Sequence, residues 1–229
     1  MSEPVTANVR RRTGLSRERV LSGALAVADA GGIAGLTIRS LADELGVKPM
    51  SVYYYVANKE AILDGIVDLV FGEMDVPTVG GDWRTEISRR AHSARRVLKR
   101  HPWAIPLLES RTSPGPATLR HHDAVLGTLR AGGFSREGTA HAYAVLDAFV
   151  YGYAIQEASL PFEGPGGVTE VADPIMELMA GGEYPHMVEM ATTYYLRPGY
   201  DFADEFEFGL NLVLDGLSGL AGEVPSAPC

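Results

Sequence analysis

The sequence predicts an all-α protein in two parts, a small N-terminal group of three helices followed by a larger helical body. Three observations carry this. Apolar residues recur at three- and four-residue spacing from Val20 to Leu220, as in helices that bury one face. Between Leu36 and Lys59 the pattern is cut into two short pieces joined at Gly46, by a turn too tight for a loop. Residues 75–81, DVPTVGG, then interrupt it with proline and glycine, which marks a boundary. The expected organisation is an arm at 1–14, a first domain at 15–75, a body at 82–221 and a tail at 222–229.

In chain order, the arm holds Pro4, Gly14 and Arg10, Arg11 and Arg12 without any apolar period, so a flexible segment is expected. Ser16 caps a helix over about 17–30, whose inward stripe is Val20, Leu21, Ala24, Leu25, Val27 and Ala28. Gly31 and Gly32 stop it. Thr37 caps the next helix, where Ile38, Leu41, Ala42 and Leu45 share a face. Gly46 ends that helix, because the step into a sharp bend often needs positive φ, and Val47 can fold back as an apolar plug. Pro49 is tolerated in a first helical turn, so a second short helix can run over about 48–55. Asn58 caps a further helix with a wide apolar face of Ile62, Leu63, Ile66, Val67, Leu69, Val70 and Met74.

The helix at 48–55 crowds Lys48, Met50, Ser51, Tyr53, Tyr54 and Tyr55 together and leaves Val52 and Val56 to face the protein. One side packs and the other reaches. That is what a recognition helix in a DNA major groove needs. The alternative on spacing alone is a helical hairpin whose tyrosines are core or interface residues, since aromatic stripes more often pack than read.

The body begins with Asp82 capping a helix from Trp83 to about Arg100, with Ile87, Ala91, Ala94 and Leu98 inward. Arg89, Arg90, Arg95, Arg96, Lys99 and Arg100 are expected on its solvated faces, the last of them where the helix dipole favours cations. His101-Pro102 breaks it, and Trp103–Ser110 is a short apolar segment. A helix at 116–131, one at 136–159 apolar on more than one face, and short helices at 173–180 and 185–195 follow. The last helix, at 201–220, carries Phe202, Phe206, Leu210, Val213, Leu217 and Leu220. Each such side chain is worth about 1.5–3 kcal/mol when fully buried, so the stripe needs a cover, and a second subunit is the expected one.

The run LTIRSLADELGV followed by VYYYVANKEAILD resembles the DNA-binding domain of the tetracycline-repressor (TetR) family of bacterial regulators, over about residues 16–64. The resemblance implies that Arg39 reaches a base edge or phosphate, and that Lys48, Pro49, Met50, Ser51 and Tyr55 face the groove. Thr37, Tyr53, Tyr54 and Lys59 stand where members hold the phosphate backbone. The division has a physical basis, since phosphate contacts position and base-edge contacts specify. The arm arginines suit the backbone or an adjacent minor groove, as in arms of other helix-turn-helix proteins. The helix from Lys59 would be the lever between DNA heads and body.

More weakly, GDW at 81–83, AGGFS at 131–135 and the closing amphipathic helix resemble the family's C-terminal domain. This implies a homodimer through the 136–159 helix and the last helix, with Phe149, Tyr153, Phe206, Leu210, Val213 and Leu217 at the interface, and hence a palindromic operator. It also implies a small-molecule pocket in the body, with Ala94, Leu98, Trp103, Leu107, Leu126, Tyr143 and Phe149 as candidates that read equally well as core. At positions matching tetracycline contacts the chain has Asp75, Arg90, Ala94 and Leu108, so an apolar or aromatic effector is expected rather than magnesium–tetracycline.

Net charge is −9, yet residues 1–60 hold eight Lys/Arg against six acids, whereas Arg197 is the only base facing fourteen acids from Asp147 onward. Charge segregated this way fits a protein that meets phosphate at one end. The single Cys229 excludes a disulfide framework, and no run of about 18 apolar residues suggests a membrane span; a cytoplasmic protein is expected. The histidines, His92, His101, His121, His122, His141 and His186, form no zinc or nucleophile pattern, so neither an enzyme nor a resident cofactor or metal is expected. The expected function is a ligand-responsive repressor. The alternative is a helical interaction protein that has lost DNA binding or effector response.

Overall fold

The computed structural model describes residues 14–162, 164, 166–179 and 181–222. The arginines of the arm at 1–13 and the tail from 223 lie outside the described residues. Among these the chain is helical, with one isolated antiparallel bridge between Phe134 and Ala221. It divides into two compact units, one ending at Ile66 and the other starting at Val67.

The first unit opens with α1 (Arg17–Gly35), where Ser16 Oγ accepts from Arg19 N at 3.2 Å. This helix runs past Gly31 and Gly32, kinking at Gly32 with φ +65°; glycine absorbs the bend and one more turn follows. Next is α2 (Ile38–Leu45), closed at its start by a reciprocal box in which Thr37 Oγ1 accepts from Ser40 N and Ser40 Oγ accepts from Thr37 N. At its end Gly46 takes φ +66°, and Val47 N donates to Ala42 O. Close approach of α1 and α2 depends on Gly23, where a Cβ would stand 2.8 Å from Leu45.

The following helix, α3, is shorter than the sequence predicts, Pro49–Val52. Beyond Val52 the bonds tighten, with Tyr55 N donating to Val52 O at 3.0 Å, so Tyr53–Tyr55 form a turn. Val52 and Val56 are nonetheless both buried. Helix α4 (Lys59–Glu73), capped by Asn58 Oδ1 accepting from Ala61 N, carries the chain from the first unit into the second. The unit boundary therefore falls inside α4 rather than in the 75–81 loop, because Val67, Val70 and Phe71 are buried at the end of α4 that belongs to the second unit.

In the second unit, α5 (Trp83–Arg100), a 3-10 turn (Pro102–Leu107), α6 (Pro116–Ala131) and α7 (Arg136–Ser159) pack together. Gly115 gives α6 no side-chain cap. Asp68 of α4 supplies it, accepting from Thr118 N at 2.8 Å and Thr118 Oγ1 at 2.9 Å. The helices α8 (Val168–Met179) and α9 (Pro185–Met190), with a π-turn at Ala191–Tyr195, precede α10 (Ala203–Ser218).

The α10 stripe corrects an expectation. Phe206, Leu210 and Leu217, and Tyr153 of α7, are buried within the chain itself, and Val213 is half-buried. The cover is α7 and α5: the Phe206 ring lies tilted against that of Phe149 at 5.5 Å, and Gly209 brings α10 so near that a Cβ would meet Phe149 at 2.6 Å. What α10 leaves outside is Phe208, 69% exposed, and Leu212, 65% exposed.

Candidate nucleic-acid interface

Every described residue singled out for DNA contact lies in the first unit, between the start of α2 and the start of α4. Beneath them Leu36, Leu41, Val52 and Val56 are buried, which holds the short helices without using the outward groups. Above them Thr37, Arg39, Lys48, Pro49, Tyr53, Tyr55 and Lys59 are exposed and Ser51 is half-buried. Met50 and Tyr54 stand out furthest, at 71% and 87% exposed. Arg39, Lys48 and Lys59 make no ion pair among the described residues. A flexible thioether, three phenols and three uncompensated cations on one small rigid unit can neutralise phosphates and meet base edges. Thr37 serves the fold as well, since its hydroxyl is engaged in the α2 box.

The body presents the opposite arrangement. Arg90, expected in solvent, is 1% exposed. Its Nη1 lies 2.7 Å from Asp147 Oδ1, its Nε donates to His121 Nε2 at 2.9 Å, and its Nη2 donates to the Tyr151 hydroxyl at 3.3 Å. Burial, then the neighbouring Arg90 charge, pushes the His121 imidazole down to about 3, so it is neutral at physiological pH. Burial pushes the phenols of Tyr143 and Tyr151 up, and the nearby Asp147 charge adds to this. Tyr143 hydrogen-bonds His122 Nδ1, and the Phe71 ring lies 5.4 Å from that of His121 and 5.2 Å from that of His122. Position would have betrayed Arg90: three residues after Ile87 and four before Ala94, it belongs to the apolar stripe of α5.

Of the seven pocket candidates, Ala94, Leu98 and Trp103 are buried and Leu107, Tyr143 and Phe149 are half-buried. They do not converge. Leu126 is exposed, and Phe149 faces α10 through Phe206, whereas Tyr143 faces His122 of α6. Arg95, also expected in solvent, grips Glu157 with two bonds of 2.9 and 2.8 Å and lies 4.8 Å over the Phe206 ring. Among the described residues no group of three or more His, Cys, Asp or Glu is placed to hold a metal ion, and no helix is long and apolar enough to cross a membrane.

Residues 20–66 match the family model for bacterial regulatory proteins of the tetR family, and residues 76–220 match that for the tetracyclin repressor-like C-terminal domain. The chain is 33% identical over 218 residues to the HTH-type transcriptional repressor DrrR1 of Streptomyces coeruleorubidus, covering 91% of this chain and 79% of that protein. It is 29% identical over 211 residues to the class A tetracycline repressor of transposon 1721 from Escherichia coli, covering 90% and 92% respectively. Among solved structures, ActR of Streptomyces coelicolor in complex with actinorhodin superposes with a TM-score of 0.74 at 28% identity, over 92% of this chain and 99% of that one. The chain belongs to the TetR family and is a DNA-binding transcriptional regulator of the helix-turn-helix type.

Proposed function

We propose that the chain is a homodimeric repressor that holds a palindromic operator and leaves it when a small apolar or aromatic molecule enters the body. The observation that supports this best is the outward set around α3. Met50 and Tyr54 are large apolar groups exposed beside Arg39, Lys48 and Lys59, a cost to a free protein that contact with a duplex would offset. Residues 15–75, the first unit together with the rest of α4, would act as the DNA head and 82–221 as the effector and dimer body. DrrR1 is named a repressor and ActR is described in complex with actinorhodin, which favours release by a ligand over activation. The same relatives favour regulation over catalysis, and a regulator that works on DNA would act in the cytoplasm.

The dimer would form through what the chain itself leaves uncovered, Phe208 and Leu212 of α10 with Val145 and Ile155 of α7. A twofold axis would set the recognition helices about 34–36 Å apart, one duplex turn. The protein should sediment as a dimer at micromolar concentration, and Phe208→Glu with Leu212→Glu should make it a monomer. Selection from a random duplex library should return an inverted repeat. Affinity for that repeat should fall steeply between about 50 and 200 mM salt; a flat salt response would remove the DNA reading.

A further inference from the structure

We infer that the cavity between the end of α5, the end of α7 and the start of α10 is a second small-molecule site, and that it takes a free α-amino acid with an apolar side chain. None of the residues expected to hold the effector lines this cavity, so the two sites are separate.

The cavity has a volume of about 210 Å³, below the roughly 300–1,000 Å³ of sites for drug-sized molecules, so its occupant is smaller than those. Small residues make the hollow: Ala154 and Ala158 stand one turn apart on α7, and Ala203 opens α10. Leu160, Phe162 and Phe202 supply apolar wall, and stacking on Tyr153 at 5.0 Å fixes the Phe202 ring. Lys99, Glu157 and Asp201 also line the cavity, and they are not equivalent. Glu157 is already engaged, because Arg95 donates two bonds to it, of 2.9 and 2.8 Å, which hold its carboxyl below the usual carboxylate range. Lys99 Nζ is left 3.6 Å from Glu157 Oε1, too far for a hydrogen bond, so its ammonium hydrogens are available. Asp201 Oδ1 accepts from Ala203 N at 2.8 Å, which fixes the carboxylate, while Oδ2 accepts no hydrogen bond among the described residues. An available ammonium and an available carboxylate oxygen in one apolar-walled cavity complement a carboxylate and an ammonium carried close together on an apolar body. That is the constitution of a free α-amino acid. A cation alone would leave Lys99 unmet, and an anion alone would face Glu157 and Asp201. The last turn of α7 holds no base, so the negative end of that helix adds to the attraction for the ammonium.

The test is calorimetric titration of the full chain with L-phenylalanine, phenethylamine, 3-phenylpropionate and glycine. Phenylalanine should bind at least about tenfold tighter than each of the others, the effect of one charged hydrogen bond or of the apolar body. In Lys99→Gln its advantage over phenethylamine should disappear. In Asp201→Asn, which keeps an acceptor for Ala203 N, its advantage over 3-phenylpropionate should disappear. Ala158→Phe fills the hollow from an exposed position without altering any charge, and should abolish binding of all four. Thermal melts of each variant identify one that has not folded, and the wild-type ranking of the probes decides the matter without any variant. Another probe binding as tightly as phenylalanine, or undiminished binding in folded Ala158→Phe, would overturn the proposal. So would no binding of phenylalanine at millimolar concentration.

Discussion

The head and the body treat the ordinary rule of burial in opposite ways. Around α3 large apolar groups face outward, with Tyr54 and Met50 mostly in solvent; in the body a guanidinium, an imidazole and a carboxylate are sealed among helices. Each departure costs free energy in the isolated protein. In the head the cost is small because the phenols keep their hydroxyls wet. In the body it is large, and only mutual pairing makes it bearable. The difference teaches where each unit keeps its selectivity: on the surface of one and in the interior of the other.

The sharpest way to break this comparison is to unpair the body. Asp147→Ala leaves the Arg90 charge buried without a partner and should cost about 3–5 kcal/mol in urea denaturation. Replacing both, with Arg90→Met and Asp147→Leu, should restore most of it, since a buried pair is often no better than well-packed apolar residues. If the single change costs under about 1 kcal/mol, Arg90 is not dependent on Asp147.

Acid supplies the next largest effect. His121 has its folded value lowered to about 3 from an unfolded 6.5, so between those values the unfolded chain binds the extra proton. Stability from this group is present above about pH 6.5 and is lost as pH falls toward 3, at up to 1.36 kcal/mol per unit. Between pH 6.5 and 5 the loss should approach about 2 kcal/mol, and denaturation across that range should show a shallower slope in His121→Gln.

The head should respond in binding rather than in folding. Met50→Ala and Tyr54→Ala should each leave stability within about 0.5 kcal/mol and weaken operator binding by about 1–3 kcal/mol, read by fluorescence anisotropy beside denaturation. A loss of stability with unchanged affinity would reverse their assignment. Smallest of all, Thr37→Ala removes the α2 cap and should cost about 1 kcal/mol of stability; any further loss of affinity would report a phosphate contact as well.

The head was legible because its determinants are local. Thr37 and Ser40 cap within one turn, Gly46 and Pro49 set the bend, and Val52 and Val56 are four residues apart. Even there, Tyr53–Tyr55, whose pattern predicts helix, form a turn. In the body the same rules found the helices and misplaced their contents. Arg90 and Arg95 read as solvent-facing because arginine usually is, although Arg90 shares the spacing of Ile87 and Ala94. The α10 stripe finds no cover among the residues next to it in sequence, whereas α7 and α5 supply one from far earlier in the chain.

By itself the sequence determined the helices, their caps, the bend at Gly46 and the outward chemistry of α3, since each depends on residues within a few positions of one another. Tertiary structure alone decided that Arg90 of α5, His121 of α6 and Asp147 of α7 meet, and that Phe208 and Leu212 rather than Phe206 and Leu210 are left uncovered. Helical spacing tells which residues share a face. It does not tell which other face will arrive, because that depends on how distant helices pack, and a buried charge is tolerable only when its partner comes from one of them.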